Sequence, residues 1–176
     1  MYIVEFTFDD YGKKKINDLW ELINDNRLNN QFEDKIGMIP HISLAVYEEI
    51  EEEFIEKFKR FKKNFKPIPL KFDVLGTFPS SGTCFIKPTV TLELLDFQIK
   101  YWEYFKNENT GVREFYKVNS WNPHCSLGIK LNDNDILDIF SLIYKNFVPF
   151  SCYLNDIILI KIEELPNGAT NTKIIS

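Results

Sequence analysis

Two periods of hydrophobicity alternate along this chain. Tyr2, Val4, Phe6 and Phe8 take turns with Ile3, Glu5 and Thr7, a period of two that predicts a strand. Ile16, Leu19, Trp20 and Ile23 then share one face at helical spacing. A polar stretch, Asn26 to Gly37, leads into a second predicted strand, His41–Tyr47. The next helical stripe is Ile50, Phe54, Phe58, Phe61 and Phe65. Its acidic beginning (Glu48, Glu49, Glu51, Glu52, Glu53) reads as a solvated first turn favoured by the helix dipole. Leu70–Phe78 is a further strand, and Pro79–Gly82 is the turn of a hairpin into strand Thr83–Lys87.

The order then repeats. Strand Thr83–Lys87 precedes a helix whose expected inner face is Leu92, Leu95, Ile99 and Trp102. A polar loop, Asn107 to Asn122, leads to a strand that carries the second histidine. A helix with Ile136, Ile139, Phe140, Ile143 and Phe147 follows, then strand Cys152–Ile162, a turn at Pro166–Ala169 and a last edge strand, Thr172–Ile175. Tyr2 to His41 spans 39 positions and Cys84 to His124 spans 40. Each half therefore reads β-α-β-α-β with its histidine on the middle strand, and the expectation is a duplicated α+β unit with pseudo-repeats of about 1–80 and 81–176. A pseudo-twofold axis would bring the two histidines to one cleft.

Composition narrows the class. A chain of 176 residues, 44% hydrophobic and 15% aromatic, has the material for one sizeable core. A net charge of −5 argues against a sequence-blind nucleic-acid coat, though not against a short oligonucleotide in a locally positive cleft. Met1–Asp10 has neither a basic n-region nor an apolar h-region, and no apolar run approaches the roughly 20 residues that span a bilayer. Cys84, Cys125 and Cys152 have no metal-like spacing and leave one thiol over, as reduced cysteines do. A cytoplasmic monomer with no membrane contact is expected.

The chain has two histidines, and both stand in Pro-His-x-Ser-Leu: "IPHISLA" at Ile39–Ala45 and "NPHCSLG" at Asn122–Gly128. Strand alternation sends His41 and Ser43 to one face, and His124 and Ser126 to the equivalent face of their strand. Ile42, Leu44, Cys125 and Leu127 point the other way, under the helices, so Cys125 is read as a small core hydrophobe. An imidazole pair supplies one neutral base and one protonated acid near neutrality. Each seryl hydroxyl, two residues along, donates to a phosphoryl oxygen. Two histidines without a Cys or Asp at matching spacing make no zinc site, so neither metal nor cofactor is expected. Lys87, Tyr116 and Trp121 are candidates to line the cleft and stack a base, or else loop residues packed on the core.

These paired His-x-Ser motifs on a duplicated α+β chain resemble the 2H phosphoesterase superfamily, in particular its 2'-5' RNA ligase-like (RNA cyclic phosphodiesterase) group. The resemblance runs through "YIVEFTF", "PHISLAVY", "FDVLGTF", "FIKPTV" and "WNPHCSLGI". It implies a bilobal fold with antiparallel sheets around a central cleft, one domain over residues 1–176. It also implies metal-independent hydrolysis of a 2',3'-cyclic phosphate or related phosphodiester on a nucleotide or RNA end. Some members join or cleave 2'-5' linkages, and others only bind nucleotides; a nucleotide-binding module with little turnover is thus the competing reading. A purely structural interaction domain is the third. Carried over, His41 and His124 become the acid/base pair and Ser43 and Ser126 the phosphate-binding hydroxyls. RNA-active bacterial members often carry a basic residue at the fifth position after each histidine. Here those positions are Val46 and Ile129, and Lys130, at the strand parity of His124 and Ser126, is the candidate replacement cation.

Overall fold

The computed structural model describes residues 1–32, 35–108 and 111–176. The polar stretch before His41 and the loop before Asn122 each contain two residues outside that range. In chain order the elements are β1 (Tyr2–Phe8), α1 (Asp10–Asp25), β2 (Lys35–Ile36), β3 (His41–Tyr47), α2 (Glu52–Lys62), β4 (Ile68–Phe78), β5 (Thr83–Pro88), α3 (Leu92–Tyr104), a 3-10 turn (Glu114–Tyr116), β6 (Cys125–Gly128), α4 (Asp133–Asn146), β7 (Phe150–Glu164) and β8 (Thr170–Ile174). The two β-α-β-α-β halves expected from the pattern are β1-α1-β3-α2-β4 and β5-α3-β6-α4-β7. One short strand escapes it. β2 lies within the stretch expected to be loop and pairs in parallel with β8, which is therefore not the outermost strand.

Helix starts follow the side chains available. Asp9, Thr91 and Asn132 accept from the backbone N–H groups of Gly12, Leu94 and Asp135, capping α1, α3 and α4. α2 has no side-chain cap. It opens instead on Glu52 and Glu53 and ends on Lys59, Arg60 and Lys62, charges that complement the helix dipole.

Strand pairing explains how the halves combine. β1 pairs antiparallel with β3 and β7, and β5 pairs antiparallel with β6 and β4. Each half thus lends its last strand to the other's lobe, giving β3-β1-β7 in one and β6-β5-β4 in the other. The borrowed strands meet in the middle, Ile68–Phe72 against Phe150–Leu154. The sheet curls so that two of its end strands, β3 and β6, approach each other without pairing. One face is apolar and covered by helices: Val4, Phe6, Phe8, Ile42, Leu44, Cys84, Ile86, Cys125 and Leu127 are all buried there in one core. The opposite face, expected to line the cleft, carries Glu5 and Thr7 opposite Ser43 and His41, and Phe85 opposite Ser126.

α3 departs from its expected orientation. Leu92 is 80% exposed and Ile99 lies outward, whereas Leu94, Gln98, Tyr101 and Trp102 are buried. The helix is apolar on more than one side, and long-range partners choose the face. Gln98 Nε2 and Trp102 Nε1 both donate to the Tyr116 carbonyl, at 3.0 and 2.9 Å.

Candidate active site

Both histidines stand at the start of an edge strand, directly after a buried proline. Proline has no N–H to give a ladder, so pairing begins only beyond it. His41 opens β3, and His124 immediately precedes β6. The rings are held alike: Nδ1 of His41 meets the Ile39 carbonyl at 2.7 Å, and Nδ1 of His124 meets the Asn122 carbonyl at 2.7 Å. A carbonyl only accepts, so each Nδ1 carries the hydrogen and each Nε2 is left for chemistry.

The same bulge follows each motif. Glu5 faces Ser43 but Val4 faces Ala45, so Leu44 is the extra residue. Phe85 faces Ser126 but Cys84 faces Gly128, so Leu127 is the extra residue. Below the bulge, His41 and Ser43 share the cleft face with Thr7 and Glu5, their direct partners on β1. Beyond it, parity flips, and Val46 joins the cleft face. There it packs with Ile3, Ile158 and Ile160 in a small apolar cluster closed by Met1, Ile39, Tyr116 and Ile162.

An edge strand leaves its outer carbonyls open, and each histidine-bearing edge has one closed by an indole from the other half of the chain. Trp121 Nε1 donates to the Ser43 carbonyl at 2.9 Å, and Trp20 Nε1 donates to the Ser126 carbonyl at 3.1 Å. Trp121 also lies against Phe6 of the core, centroids 6.3 Å apart, so it braces the site and is not a free stacking platform.

The surroundings of the two rings differ sharply. His41 Nε2 lies 3.4 Å from Glu5 Oε1, and the Glu5 side chain is only 3% exposed. Burial raises the Glu5 pKa, and the His41 charge lowers it in part. His124 instead sits against Phe78, edge-on at 4.9 Å, and Phe85 at 5.1 Å. Burial lowers the His124 pKa; the Asn122 carbonyl opposes the shift, while the charges of His41 and Lys87 add to it. Gly76 makes room for this arrangement, since a Cβ there would sit 2.8 Å from the Phe85 ring.

His41, Ser43, His124 and Ser126 thus all lie half-buried on the cleft faces. Tyr116 joins them: its hydroxyl lies beside the Ser43 side chain, and burial raises its pKa against the influence first of Arg113 and then of Ser43. Lys130 does not share their strand. β6 ends at Gly128, and Lys130 is exposed in a left-handed bend at φ 53°, so the parity argument does not reach it. Lys87, two residues beyond Phe85, is the cation that acts on His124. Cys125 is buried, its thiol pushed up to about 12 chiefly by burial. Among the described residues no group of three or more His, Cys, Asp or Glu side chains is placed to hold a metal ion. None of their helices is long and apolar enough to cross a membrane. Glu5 and the Phe78–Phe85 wall were not singled out by the sequence; the signal lay in the second face of the first strand, where Ile3, Glu5 and Thr7 alternate opposite the core.

Two lobes of curled antiparallel sheet, helices outside and a His-x-Ser pair on each inner face, make this a 2H phosphoesterase fold. The chain belongs to the 2'-5' RNA ligase superfamily, whose family model matches residues 18–165. Among solved structures, TT0787 of Thermus thermophilus superposes with a TM-score of 0.66 at 13% identity, over 99% of this chain and 94% of that one. E. coli LigT complexed with ATP gives 0.59 at 12% identity, over 99% and 93%. A structure described as a phosphoesterase gives 0.61 at 13%, over 99% and 94%. No curated protein matches the sequence.

Proposed function

We propose that the protein is a phosphoesterase that opens a 2',3'-cyclic phosphate or related phosphodiester on a nucleotide or RNA end, using His41 and His124 as a metal-independent acid/base pair. The observation that carries this reading is the identical fixing of the two rings, each Nδ1 on a carbonyl so that each Nε2 is the nitrogen turned away from it, on approaching strands of one curled sheet. One imidazole takes a proton from water as its oxygen attacks phosphorus. The other gives a proton to the ribose oxygen as the P–O bond breaks. The Ser43 and Ser126 hydroxyls donate to the phosphoryl oxygens in between, where charge grows.

The chemistry of the walls favours a small ligand. Val46 lies in an apolar cluster and Ile129 is half-buried, so neither position where RNA-active bacterial members carry a base offers one to a long phosphate backbone. That E. coli LigT was crystallised with ATP supports a nucleotide as the class of ligand. Lys130 remains a candidate contact for an extended substrate only. The protein is proposed to act as a cytoplasmic monomer.

The test is turnover of 2',3'-cyclic AMP with and without a chelator. Activity is expected to survive chelation. His41→Ala and His124→Ala should each lose about 10²–10⁴-fold, and Ser43→Ala or Ser126→Ala less. Binding of the nucleotide with no turnover under any condition would replace this reading with the binding module.

A further inference from the structure

The two halves agree in everything that holds the rings and differ in what faces them. At the rung opposite the motif serine, β1 presents Glu5 and β5 presents Phe85. One rung on, β1 presents Thr7 opposite His41, and β5 carries Lys87 beside His124. One imidazole therefore faces a carboxylate, the other a phenyl wall and an ammonium group.

Geometry sets the Glu5 carboxyl against His41 Nε2. His41 Nδ1 is committed to donating to the Ile39 carbonyl, so a neutral ring would turn a bare lone pair on Nε2 toward Glu5. A carboxylate there is also only an acceptor. The 3.4 Å approach is favourable only with a proton between Nε2 and Oε1. No other cation is paired with Glu5 among the described residues. The remaining groups near the pair come from the surrounding strands and the 3-10 turn. Ser43 is on β3, and Tyr116 on the 3-10 turn. Cys125 of β6 has its thiol against the His41 backbone, and His124 stands just before that strand. On β7, Asp156 faces Thr7 but is held by Lys62 of α2 at 2.8 Å. Arg113 is taken by Glu48 at 3.1 Å.

We propose that Glu5 is a positioning residue that keeps the proton on His41 Nε2 and thereby assigns the roles: His41 is the acid and His124 the base. The assignment rests on the phosphoesterase reading above. In the forward step His124 Nε2 takes one proton of water, and the water oxygen bonds phosphorus. The P–O bond to the ribose breaks, and its electron pair takes the proton from His41 Nε2. Solvent then reprotonates His41 against Glu5, and His124 releases its proton to solvent. The environment of His124 suits the base, because burial, His41 and Lys87 all disfavour its charged form.

The chain has only two histidines, which makes the test direct. Imidazole ¹⁵N spectra are recorded across pH for the wild type, Glu5→Gln and Glu5→Asp, with His124→Ala assigning the signals. In the wild type the His41 signals should keep the doubly protonated pattern to higher pH than those of His124. In Glu5→Gln that pattern should be lost at a pH about one unit lower, with His124 little changed, and Glu5→Asp should restore part of the difference. kcat/KM for 2',3'-cyclic AMP should follow: its basic limb moves down by the same amount, a loss of about tenfold at the alkaline end, with little loss at the acidic end. Unchanged His41 signals in Glu5→Gln would overturn the proposal, as would His124 being the ring that stays protonated. If the signals move as expected but the wild type turns over no cyclic nucleotide, the pairing stands and the phosphoesterase reading fails. If the wild type is active and the basic limb stays put in Glu5→Gln, the reverse holds.

Discussion

Replacing Trp121 by Phe should weaken the fold and the chemistry together. The indole makes one hydrogen bond across the chain, from Nε1 to the Ser43 carbonyl at 2.9 Å, on the open edge of β3. Phenylalanine keeps most of the ring contact with Phe6 and removes the donor. The lost bond is worth about 1 kcal/mol net, and a carbonyl left without a partner in a half-buried place adds about 1–3 kcal/mol. A total near 2 kcal/mol is the reasonable figure, because water reaches an edge strand from one side. For a chain of 176 residues that corresponds to a fall in Tm of roughly 4–8 °C. His41 lies two residues before Ser43 on the same strand, and a displacement of about 1 Å at a reacting group costs on the order of 10²-fold in rate. Trp20→Phe makes the same cut in the other half, at the Ser126 carbonyl. Thermal unfolding by circular dichroism and turnover of a cyclic nucleotide, measured on both variants, decide the matter. A Tm within about 1 °C of wild type in both would mean that water satisfies these carbonyls and that the indoles do not hold the strands.

Gly76→Ala should act on His124 at a distance: its Cβ would lie 2.8 Å from the Phe85 ring, which packs at a tilt against Phe78 at 4.3 Å and against His124 at 5.1 Å. The expected cost is about 1–3 kcal/mol of overpacking, read by urea unfolding, with a fall in kcat larger than the change in KM. Stability against pH should carry the signature of His124, whose pKa is lowered in the folded state by burial first. As pH falls through about 6.5, the unfolded chain gains a proton that the folded ring refuses, so stability drops by about 1.4 kcal/mol per unit of pKa difference. Glu5 slopes the other way: its raised pKa gives stability that is complete below the unfolded carboxylate value and lost as pH rises through the folded one. The slope difference between wild type and His124→Gln, followed by urea unfolding from pH 7.5 to 5, isolates the His124 contribution; equal slopes would refute it.

Local periodicity carried most of the fold because the elements are long and their two faces see different surroundings. The alternation over Tyr2–Phe8 matches the bounds of β1, and Ile42, Leu44, Cys125 and Leu127 lie in the core, as alternation predicts. What failed did so where a distant contact or a local break decided the outcome. Leu92 and Ile99 share helical spacing with Trp102, but Gln98 and Trp102 meet the Tyr116 carbonyl, and that turns α3. Counting along the strand puts Lys130 at the parity of His124 and Ser126, but the strand stops at Gly128. Val46 would face the core by simple alternation, and the bulge at Leu44 carries it to the cleft. Glu5 was visible as one polar residue in an alternating strand, the usual mark of a solvated face. Only the pairing of β1 with β3 shows that this face is buried against a histidine.

Under the phosphoesterase reading proposed above, two like halves meet one demand of phosphoester opening and obstruct another. Two copies of Pro-His-x-Ser-Leu on the end strands of a curled sheet place two equal imidazoles and two equal hydroxyls on facing walls. Acid/base catalysis, however, needs unequal protonation, one ring charged while the other is not. Two rings with the same neighbours would compete for the same proton, and each charge would oppose the other. The motifs themselves cannot break this tie, since they agree at Pro, His, Ser and Leu. The neighbouring strands can, because each presents side chains to the cleft without disturbing the core face behind it. On β1 that freedom holds a buried carboxylate against His41. On β5 it holds a phenyl ring and a lysine against His124. Under the assignment proposed, the repeated strands supply geometry and the first strand of each half supplies the charge difference.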